Sequence, residues 1–322
     1  MNALVTGATG FVGRHLVDAL LQAGDTVTAL VRSPEKGKLL GKSGVRLAPG
    51  HLGSMEALRS AVHGQDVIYH VAGLVAARNE AGFLAVNRDG TLRVLEAAAD
   101  AGRPRIVLVS SLAAGGPVPR GGRRSGDEEA APVTAYGRSK LAGERAVRRA
   151  GLPWVILRPP AVYGPFDTEM LRVFRAVKLG VVPVFGDGAQ ELSLIYGPDL
   201  ARALAAAGHT AAAEGKIFYP CHPEVITTTG LVRTVAGAMT RKARLVPLPR
   251  WLARGALGVT GALARLAGRA TLLTPDKARE FFAPAWTCDP APLTAITGWQ
   301  AEFDLARGAA ATVAWYRERG LL

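Results

Sequence analysis

The amino-acid sequence predicts an α/β fold built on a doubly wound, parallel β-sheet. Two observations carry this prediction: a glycine-rich turn follows the first apolar segment, and short apolar strands then alternate with helical segments over the first 160 residues. Strands that alternate with helices form parallel sheets covered by helices on both faces. Ligands of such sheets bind at the carboxyl ends of the strands, so we expect the functional site there.

The first strand, turn and helix are predicted from the segment "NALVTGATGFVGRHLVDALLQAG". Ala3–Val5 is apolar and predicts the strand. The turn contains Gly7, Gly10 and Gly13, and apolar residues then recur at the spacing of a helix. Glycines in such a turn let the backbone approach a pyrophosphate, whose charge is met by the N–H groups and dipole at the helix N-terminus. We therefore predict a dinucleotide site, with an ordinary glycine-rich turn as the alternative.

The second strand, "TVTALV", ends at a basic residue where a carboxylate would favour NAD. A carboxylate would accept a hydrogen bond from the ribose 2′-hydroxyl, whereas the guanidinium of Arg32 suits a 2′-phosphate. Lys36 and Lys38 follow closely. NADP(H) is therefore the predicted cofactor. The alternative is NAD(H) bound through backbone contacts beside a solvated basic loop.

Further strands follow at the spacing of strand–helix units: "GVRLAPG" (44–50), "DVIYHVAG" (66–73), "RIVLVSS" (105–111) and "WVILRPP" (154–160). The second of these ends in the small residues Ala72 and Gly73, as expected for a strand end near a nicotinamide. The third is almost entirely apolar until Ser110 and Ser111, whose hydroxyls are therefore expected at the same edge of the sheet.

A tyrosine and a lysine lie one turn apart in the predicted helix "AYGRSKLAGERAVRRAG". The i, i+4 spacing places Tyr136 and Lys140 on one helical face. A lysine ammonium near a phenol favours phenolate and lowers a pKa that is otherwise about 10. Tyr136 can then exchange a proton with a secondary alcohol or ketone, while a serine hydroxyl holds the substrate oxygen and a cofactor handles the hydride. The spacing alone is a weak motif, so this prediction depends on the glycine turn and the serine pair.

These motifs together resemble the extended short-chain dehydrogenase/reductase family, which is also described as NAD-dependent epimerase/dehydratase-like. The resemblance is carried by T-G-x-x-G-x-x-G, "HVAG", "VNRDGT", "SS", Y-x-x-x-K and "RPPAVYGP", over about residues 1–200. It implies a Rossmann domain over residues 1–160, to which later segments such as 185–200 return. It also implies a smaller, mainly helical substrate-binding subdomain over residues 161–322, and it is compatible with a homodimer.

The resemblance implies roles for individual residues. Tyr136 is the expected acid/base, Lys140 binds the nicotinamide ribose and lowers the tyrosine pKa, and Ser111 is the expected catalytic serine, with Ser110 as the alternative. Asn87, in "VNRDGT", matches a supporting helix position. His51 departs from the family, which usually has an adenine-binding aspartate there, although a histidine can still bond to adenine or stack on it. The expected cofactor-binding residues are Gly7, Thr9, Gly10, Phe11, Val12, Gly13, Arg32, His51, Leu52, Ala72, Gly73, Asn87, Ser110, Tyr136, Lys140, Pro159 and Val162.

One position bears on the branch of the family. Nucleotide-sugar epimerases and dehydratases carry an arginine that grips the substrate diphosphate, and the matching position is Leu192, beside Glu191. An apolar residue next to a carboxylate is a poor diphosphate ligand. Basic residues on the preceding helix can compensate, namely Arg172, Arg175 and Lys178.

The segment 249–269, "PRWLARGALGVTGALARLAGR", predicts a helix with one basic stripe. The stripe consists of Arg250, Arg254, Arg265 and Arg269. Three interpretations stay open: a surface helix packed on its own core, a wall of an apolar substrate pocket, and a helix on an anionic membrane surface. The closing segment of the chain resembles that of 3β-hydroxysteroid dehydrogenase-like members.

The leading hypothesis is therefore NAD(P)-dependent interconversion of a secondary alcohol and a ketone on a hydrophobic substrate of the steroid, isoprenoid or polyketide kind. A nucleotide-sugar epimerase or dehydratase is the enzyme alternative. A non-catalytic cofactor-binding scaffold is the alternative of another class, although such relatives have typically lost the tyrosine–lysine pair.

The amino-acid composition and charge bear on a few further classes of protein and site. The net charge of +13 invites a nucleic-acid interpretation, but 31 of the 39 basic residues are arginine and no stripe interleaves basic with aromatic residues. We expect no nucleic acid, no metal site, and two cysteines, Cys221 and Cys288, that act as buried apolar residues. The absence of an apolar run of about 18 residues and of a secretory signal predicts a cytoplasmic protein, with peripheral membrane contact through 249–269 left open. The segment 117–132 is a predicted loop, either closing over the substrate or inert.

Overall fold

A computed structural model describes residues 1–40, 44–126, 128–249, 251, 255 and 276–322. Its main sheet has seven strands: β1 (Asn2–Thr6), β2 (Thr26–Val31), β3 (Val45–Pro49), β4 (Val67–His70), β5 (Arg105–Val109), β6 (Trp154–Leu157) and β11 (Lys216–Phe218). They are all parallel and lie in the order β11–β6–β5–β4–β1–β2–β3. The predicted α/β fold with a Rossmann-type sheet is confirmed.

Helices cover both faces of this sheet, as continuous apolar strands require. They are α1 (Phe11–Gln22), α2 (Pro34–Gly37), α3 (Met55–Val62), α4 (Glu80–Asn87), α5 (Asp89–Ala99), α6 (Leu112–Gly115), α7 (Ala135–Arg149) and α9 (Gly197–His209). Successive side chains of a strand point to opposite faces, so Val5 packs with α1 and α9, while Leu4 packs with α3, α5 and α7. Short 3₁₀ turns cover Lys38–Leu40 and Ala211–Ala213.

A smaller layer follows β6 and mixes short strands with helices. Its strands are β7 (Ala161–Tyr163), β8 (Val181–Phe185), β9 (Glu191–Leu192), β10 (Leu194–Tyr196), β12 (Ile226–Thr227), β13 (Arg244–Leu248) and β14 (Ala285–Trp286). Its helices are α8 (Leu171–Lys178), α10 (Thr228–Ala238), α11 (Lys277–Phe281), α12 (Ala291–Thr297) and α13 (Leu305–Glu318). Phe174, Val184, Val235 and Tyr316 form part of its separate apolar core.

The chain returns to the core of the main sheet near the end of the segment 185–200, where Ile195 and Leu200 are buried in that core. Within that segment, β9 pairs with β12 and β14, and β10 pairs with β7. The strands β9 and β10 therefore belong to small sheets and are not hydrogen-bonded to the main sheet. The return begins at Gly197, where α9 packs against α1, and it ends with β11 beside β6. The basic helix predicted over 249–269 lies outside the described residues, apart from Pro249, Trp251 and Gly255.

The glycine turn between β1 and α1 leaves no space for side chains at two positions. Gly7 has a φ of +73°, and a Cβ there would lie 2.7 Å from the Ala72 nitrogen. A Cβ on Gly13 would lie 2.2 Å from the Gly7 carbonyl oxygen. The turn therefore packs backbone against backbone, which brings the N-terminus of α1 close to the end of β4.

We expect Gly13→Ala to lower the free energy of unfolding by about 2 kcal/mol or more, because neither backbone can move away from the new methyl group. Urea denaturation monitored by circular dichroism measures this loss. Gly237→Ala is the matched control: Gly237 lies in α10 with no atom near its Cβ position, so alanine should stabilise by about 0.5–1 kcal/mol. Equal stabilities of the Gly13 variant and the wild type would contradict the packing described.

Candidate active site

The predicted reactive residues meet at the carboxyl end of β5. Ser110 and Ser111 follow that strand directly, and Tyr136 and Lys140 lie one turn apart near the start of α7. The Thr134 side chain accepts a hydrogen bond from the Gly137 N–H at 3.2 Å, which fixes the start of α7. Gly137 packs its backbone on Ala113, just beyond the serine pair. Turn chemistry and close backbone packing thus place the helix face over the strand end.

Tyr136 is half-buried and hydrogen-bonded to the Ser111 side chain. Burial raises its pKa to about 12, the Ser111 hydrogen bond lowers it, and the negative charge of Glu280 raises it further. The phenol therefore holds its proton at neutral pH. The predicted lowering of this pKa by Lys140 is not found here, because burial raises the pKa and Lys140 is not among the groups that shift it. The Ser111 oxygen also accepts a hydrogen bond from the Ala113 N–H at 3.1 Å, which holds the hydroxyl in place.

Lys140 is buried, with its side chain extended back toward β5. Its Nζ donates a hydrogen bond to the Val109 carbonyl at 2.6 Å. Burial lowers its pKa to about 8, against an opposing effect of the nearby Glu144 carboxylate. A Cβ on Gly73 would lie 3.5 Å from this Nζ, so the lysine stands beside the predicted nicotinamide edge.

A buried ion pair lies one further turn along the same helix face. Arg158, just after β6, donates to Glu144 through Nε at 3.0 Å and through Nη2 at 2.7 Å. The Arg158 Nη1 donates to the Tyr219 hydroxyl at 2.7 Å, and Ser110 hydrogen-bonds to the same carboxylate. Sequence analysis missed this network. A usable signal was the spacing of Tyr136, Lys140 and Glu144 at successive turns.

Asn87 is buried, and both the oxygen and the nitrogen of its side-chain amide form hydrogen bonds. Its Oδ1 accepts from the Leu74 N–H at 2.8 Å, and its Nδ2 donates to the Leu74 carbonyl at 3.0 Å and to Ser139 Oγ at 2.9 Å. The amide thereby fixes the segment after β4, which contains Ala72 and Gly73, against the helix that carries Tyr136.

Residues 276–280 also lie against Tyr136 and the first turn of α7, which sequence analysis did not predict. Asp276 Oδ2 accepts a hydrogen bond from the Ala135 N–H at 2.7 Å, at the N-terminus of α7. Lys277 Nζ lies 5.8 Å from the centre of the Tyr136 ring and pairs with Glu280 at 2.5 Å. Because these partners are separated by about 140 residues, no local spacing reveals them.

The other predicted cofactor residues surround the same edge of the sheet. Arg32 is exposed at the end of β2 and forms no ion pair within the described ranges. His51 is exposed, and its Nδ1 accepts from the Gly53 N–H at 3.0 Å. Pro159 accepts a hydrogen bond from Leu112 N–H, and Val162 lies in β7. Thr9, Phe11 and Val12 belong to the glycine turn and the first turn of α1.

Leu192, at the position expected for a diphosphate-binding arginine, packs in an apolar environment. Leu192 and Tyr136 pack against the same cluster, which includes Ala283 and Trp286. Glu191 Oε2 accepts a hydrogen bond from the Gly121 N–H at 2.8 Å. This bond ties the predicted loop 117–132 to β9.

The same loop is fixed further by backbone bridges. Val118 bridges to Ala285 and Arg124 to Cys288. Cys288 is fully buried with Cys221, whose Sγ donates to the Cys288 carbonyl at 3.3 Å. The segment therefore lies beside the candidate site and is held by residues 285–288. Whether it also moves to cover a substrate stays a prediction.

The residues present fit a bound nicotinamide dinucleotide. Gly10 begins α1 without a side-chain cap, so its first N–H groups point at the predicted pyrophosphate position. The backbone packing of Gly7 and Gly13 keeps that approach open, and Gly73 stands beside Lys140. Fold and site together define a nucleotide-dependent enzyme with a Rossmann domain.

The sequence of residues 3–219 matches the NAD dependent epimerase/dehydratase family, and this chain belongs to that family. The predicted membership of the extended short-chain dehydrogenases is thereby confirmed, and the protein is an NAD(P)-dependent enzyme.

Sequence relatives include enzymes that reduce or oxidise apolar molecules. The chain is 38% identical to the ceramide reductase of Caulobacter vibrioides, over 99% of this chain and 95% of that protein. It is 36% identical to a 4-hydroxy-2-methyl-3-oxo-4-farnesyl-3,4-dihydroquinoline-1-oxide ketoreductase of Stigmatella aurantiaca, over 53% of each. It is 30% identical to a 3 beta-hydroxysteroid dehydrogenase/Delta 5-->4-isomerase of Mycobacterium tuberculosis, over 79% of this chain and 75% of that one.

Similar solved structures include proteins bound to nucleotide sugars. MoeE5 in complex with UDP-glucuronic acid and NAD has a TM-score of 0.80 at 25% identity, covering 99% of this chain and 100% of that one. The UDP-glucose 4-epimerase of Thermus thermophilus with NAD has a TM-score of 0.79 at 25% identity, covering 98% and 99%. Both comparisons support the fold and the NAD(P) dependence.

Two features are absent from the described residues, namely a membrane-spanning helix and a metal-binding cluster. Among the ranges that the structure describes, each helix is too short or too polar to cross a membrane. The same residues contain no group of three or more His, Cys, Asp or Glu side chains placed to hold a metal ion.

We expect Lys140→Met to stabilise the protein at pH 7 by up to about 3 kcal/mol, because burial disfavours the lysine charge. The folded-state pKa of about 8 lies below the ordinary 10.5, so the unfolded chain binds more protons between these values. The free energy of unfolding of the wild type therefore rises with pH across that window. The difference in stability between the variant and the wild type disappears accordingly.

Urea denaturation at several pH values between 7 and 10.5 measures this gap. Lys216→Met, at an exposed position on β11, is the control and should show no pH-dependent gap. A constant difference between Lys140→Met and the wild type at all these pH values would show that the folded-state pKa is not lowered.

Proposed function

We propose that the chain catalyses NAD(P)-dependent interconversion of a secondary alcohol and a ketone on a hydrophobic substrate. One observation carries the choice of substrate: Leu192 and Tyr136 pack against the same apolar cluster. The ring of Phe83, 5.9 Å from the Tyr136 ring, adds a second apolar surface beside the phenol. A diphosphate would leave charged oxygens unpaired next to Leu192. The 38% identity to a ceramide reductase across nearly the whole chain supports the same substrate class.

In the proposed mechanism, Tyr136 donates its phenolic proton to the substrate oxygen during reduction and accepts it during oxidation. When bound, the nicotinamide supplies or accepts the hydride at the substrate carbon. The Ser111 hydroxyl, already hydrogen-bonded to Tyr136, orients the substrate oxygen toward the phenol. The Lys140 ammonium, held by the Val109 carbonyl, stabilises the phenolate that remains after proton transfer. The raised tyrosine pKa keeps the proton available at neutral pH.

We expect Tyr136→Phe to lower kcat/KM by about 10²-fold or more, because no other group replaces the proton donor. Absorbance at 340 nm follows NADPH or NADH with ceramide-like and steroid ketones, while UDP- and TDP-sugars run in parallel with chromatography of the products. Tyr69→Phe is the matched control: its hydroxyl is buried without a hydrogen-bond partner among the described residues, so the activity should stay. Retained turnover in Tyr136→Phe would refute the assigned role.

The nucleotide-sugar alternative is favoured by the bound ligands of the similar solved structures. Conversion of a sugar nucleotide without net change in NAD(P)H would establish it, and would mean that Leu192 does not decide the substrate. Cofactor binding without turnover of either substrate class would instead favour the non-catalytic scaffold, which the retained pair of Tyr136 and Lys140 argues against.

We also propose that NADP(H) is preferred, because Arg32 is exposed at the end of β2 with no partner among the described residues. Arg32→Asp should raise the Kd of NADPH by about 10–100-fold and leave the Kd of NADH unchanged or lower, since only NADPH has the 2′-phosphate. Fluorescence titration measures both constants. Arg233→Asp, at an exposed position on α10, is the charge-matched control. Equal effects on both cofactors would place the 2′-phosphate elsewhere.

A further inference from the structure

We propose that the outer face of the β8–β13 pair, together with Leu179, docks on an anionic lipid bilayer. We call this surface the docking ribbon. It consists of Leu179, Val181, Pro183, Val246, Leu248 and Trp251, with a cationic border formed by Lys178, Arg241, Lys242 and Arg244.

The ribbon exposes apolar side chains that the sheet geometry directs outward. Leu179 is 83% exposed, Val181 52% and Trp251 75%. Side chains alternate along a strand, so Val182 and Val184 of β8 are buried while Val181 and Pro183 face solvent.

The strand register extends this face across both strands. Paired residues of a ladder share a face, and the register joins Val181 to Arg244, Pro183 to Val246, and Phe185 to Leu248. Trp251 lies three residues beyond the end of β13. Val181, Pro183, Val246 and Leu248 therefore share one face of the strand pair, which is apolar except where Arg244 stands opposite Val181.

The cationic border surrounds the start of the ribbon. Arg244 N–H donates to the Gly180 carbonyl at 2.8 Å, and Gly180 also lies against the Lys242 backbone. Lys178 directly precedes Leu179, and Arg241 directly precedes Lys242.

These four cations are exposed and form no ion pair within the described ranges. The sequence contains no acidic residue from Val225 to Pro275, and Asp187, near the other end of the ribbon, lies 3.7 Å from Arg120. Positive charge around an exposed apolar strip is complementary to a surface of anionic headgroups above acyl chains.

A second copy of the chain fits this surface less well than a bilayer. Two paired strands of five residues, about 17 Å long and about 5 Å apart, cover roughly 170 Å². Each partner in a stable protein interface buries roughly 800 Å². A twofold contact would also bury the unpaired cations of both copies with no acidic residue of the ribbon to pair with them. A bilayer avoids both difficulties because its anions are abundant and mobile.

The ribbon is continuous with the candidate active site. Phe185, at the end of β8, stacks on Phe281 with ring centres 4.4 Å apart. Phe281 belongs to α11, whose Lys277 lies over the Tyr136 ring. The rings of Phe185 and Phe281 thus place an apolar surface between the docking ribbon and the helix whose Lys277 contacts Tyr136. The use of this surface by a membrane-dissolved substrate rests on the proposed function, whereas the docking ribbon itself does not.

The test is flotation of the purified protein with phosphatidylcholine vesicles, with and without phosphatidylglycerol, at low and high salt. We expect binding that requires phosphatidylglycerol and weakens with salt. The double variant Leu179→Ser/Arg244→Gln should bind at least about tenfold more weakly, since it loses one apolar and one cationic contact. Leu92→Ser/Arg93→Gln makes the same chemical change on the exposed side of α5, and should bind like the wild type.

Three results would overturn the proposal: no vesicle binding by the wild type, undiminished binding by the ribbon variant, or an equal loss in the α5 variant. The surface would be assigned to self-association instead if two results came together. The wild type would fail to bind vesicles, and sedimentation would show an oligomer for the wild type but a monomer for the ribbon variant. Turnover of a short-chain, water-soluble ketone should be the same in both double variants. Vesicle binding without turnover of any ketone would contradict the proposed function and leave the docking ribbon intact.

Discussion

The buried ion pair between Glu144 and Arg158 is the interaction on which the geometry of the site depends. It joins α7 to the end of β6, and its hydrogen bonds to Ser110 and Tyr219 extend it to the ends of β5 and β11. Breaking such a pair leaves an uncompensated buried charge, at a cost of about 3–5 kcal/mol. Because Tyr136 and Lys140 precede Glu144 by two turns and one turn of one helix, anchoring Glu144 also determines where the reactive side chains point.

The same region buries polar groups, including the predicted catalytic residues, whose burial costs stability. Burial lowers the pKa of Lys140 to about 8 and raises that of Tyr136 to about 12. His70, with Thr6 at 2.7 Å and Thr91 at 3.0 Å from its ring nitrogens, is buried directly behind them, and its pKa is lowered to about 3. The neutral histidine adds no second positive charge beside Lys140. The hydrogen bonds of this layer satisfy buried groups that cannot reach water.

The smaller layer completes the site from the other side. Asp276 accepts from the first turn of the helix that carries Tyr136, and Lys277 and Glu280 place a compact ion pair beside its ring. The Gln190 amide donates to three carbonyls at the end of α11 and holds that helix in position. The surface next to the phenol is consequently built from segments that lie far from Tyr136 in the sequence.

The sequence by itself determined the parts of the protein that depend on local chemistry. The glycine turn before α1, the serine pair after β5 and the shared face of Tyr136 and Lys140 follow from turn conformation and from helix and strand periodicity. Tertiary structure alone decided the Glu144–Arg158 network, the contact of Asp276 with Ala135, and the order of strands that places them together. These contacts join residues that periodicity does not relate, because they form only when packing of the apolar faces brings distant segments together and excludes the water that would otherwise solvate their charges.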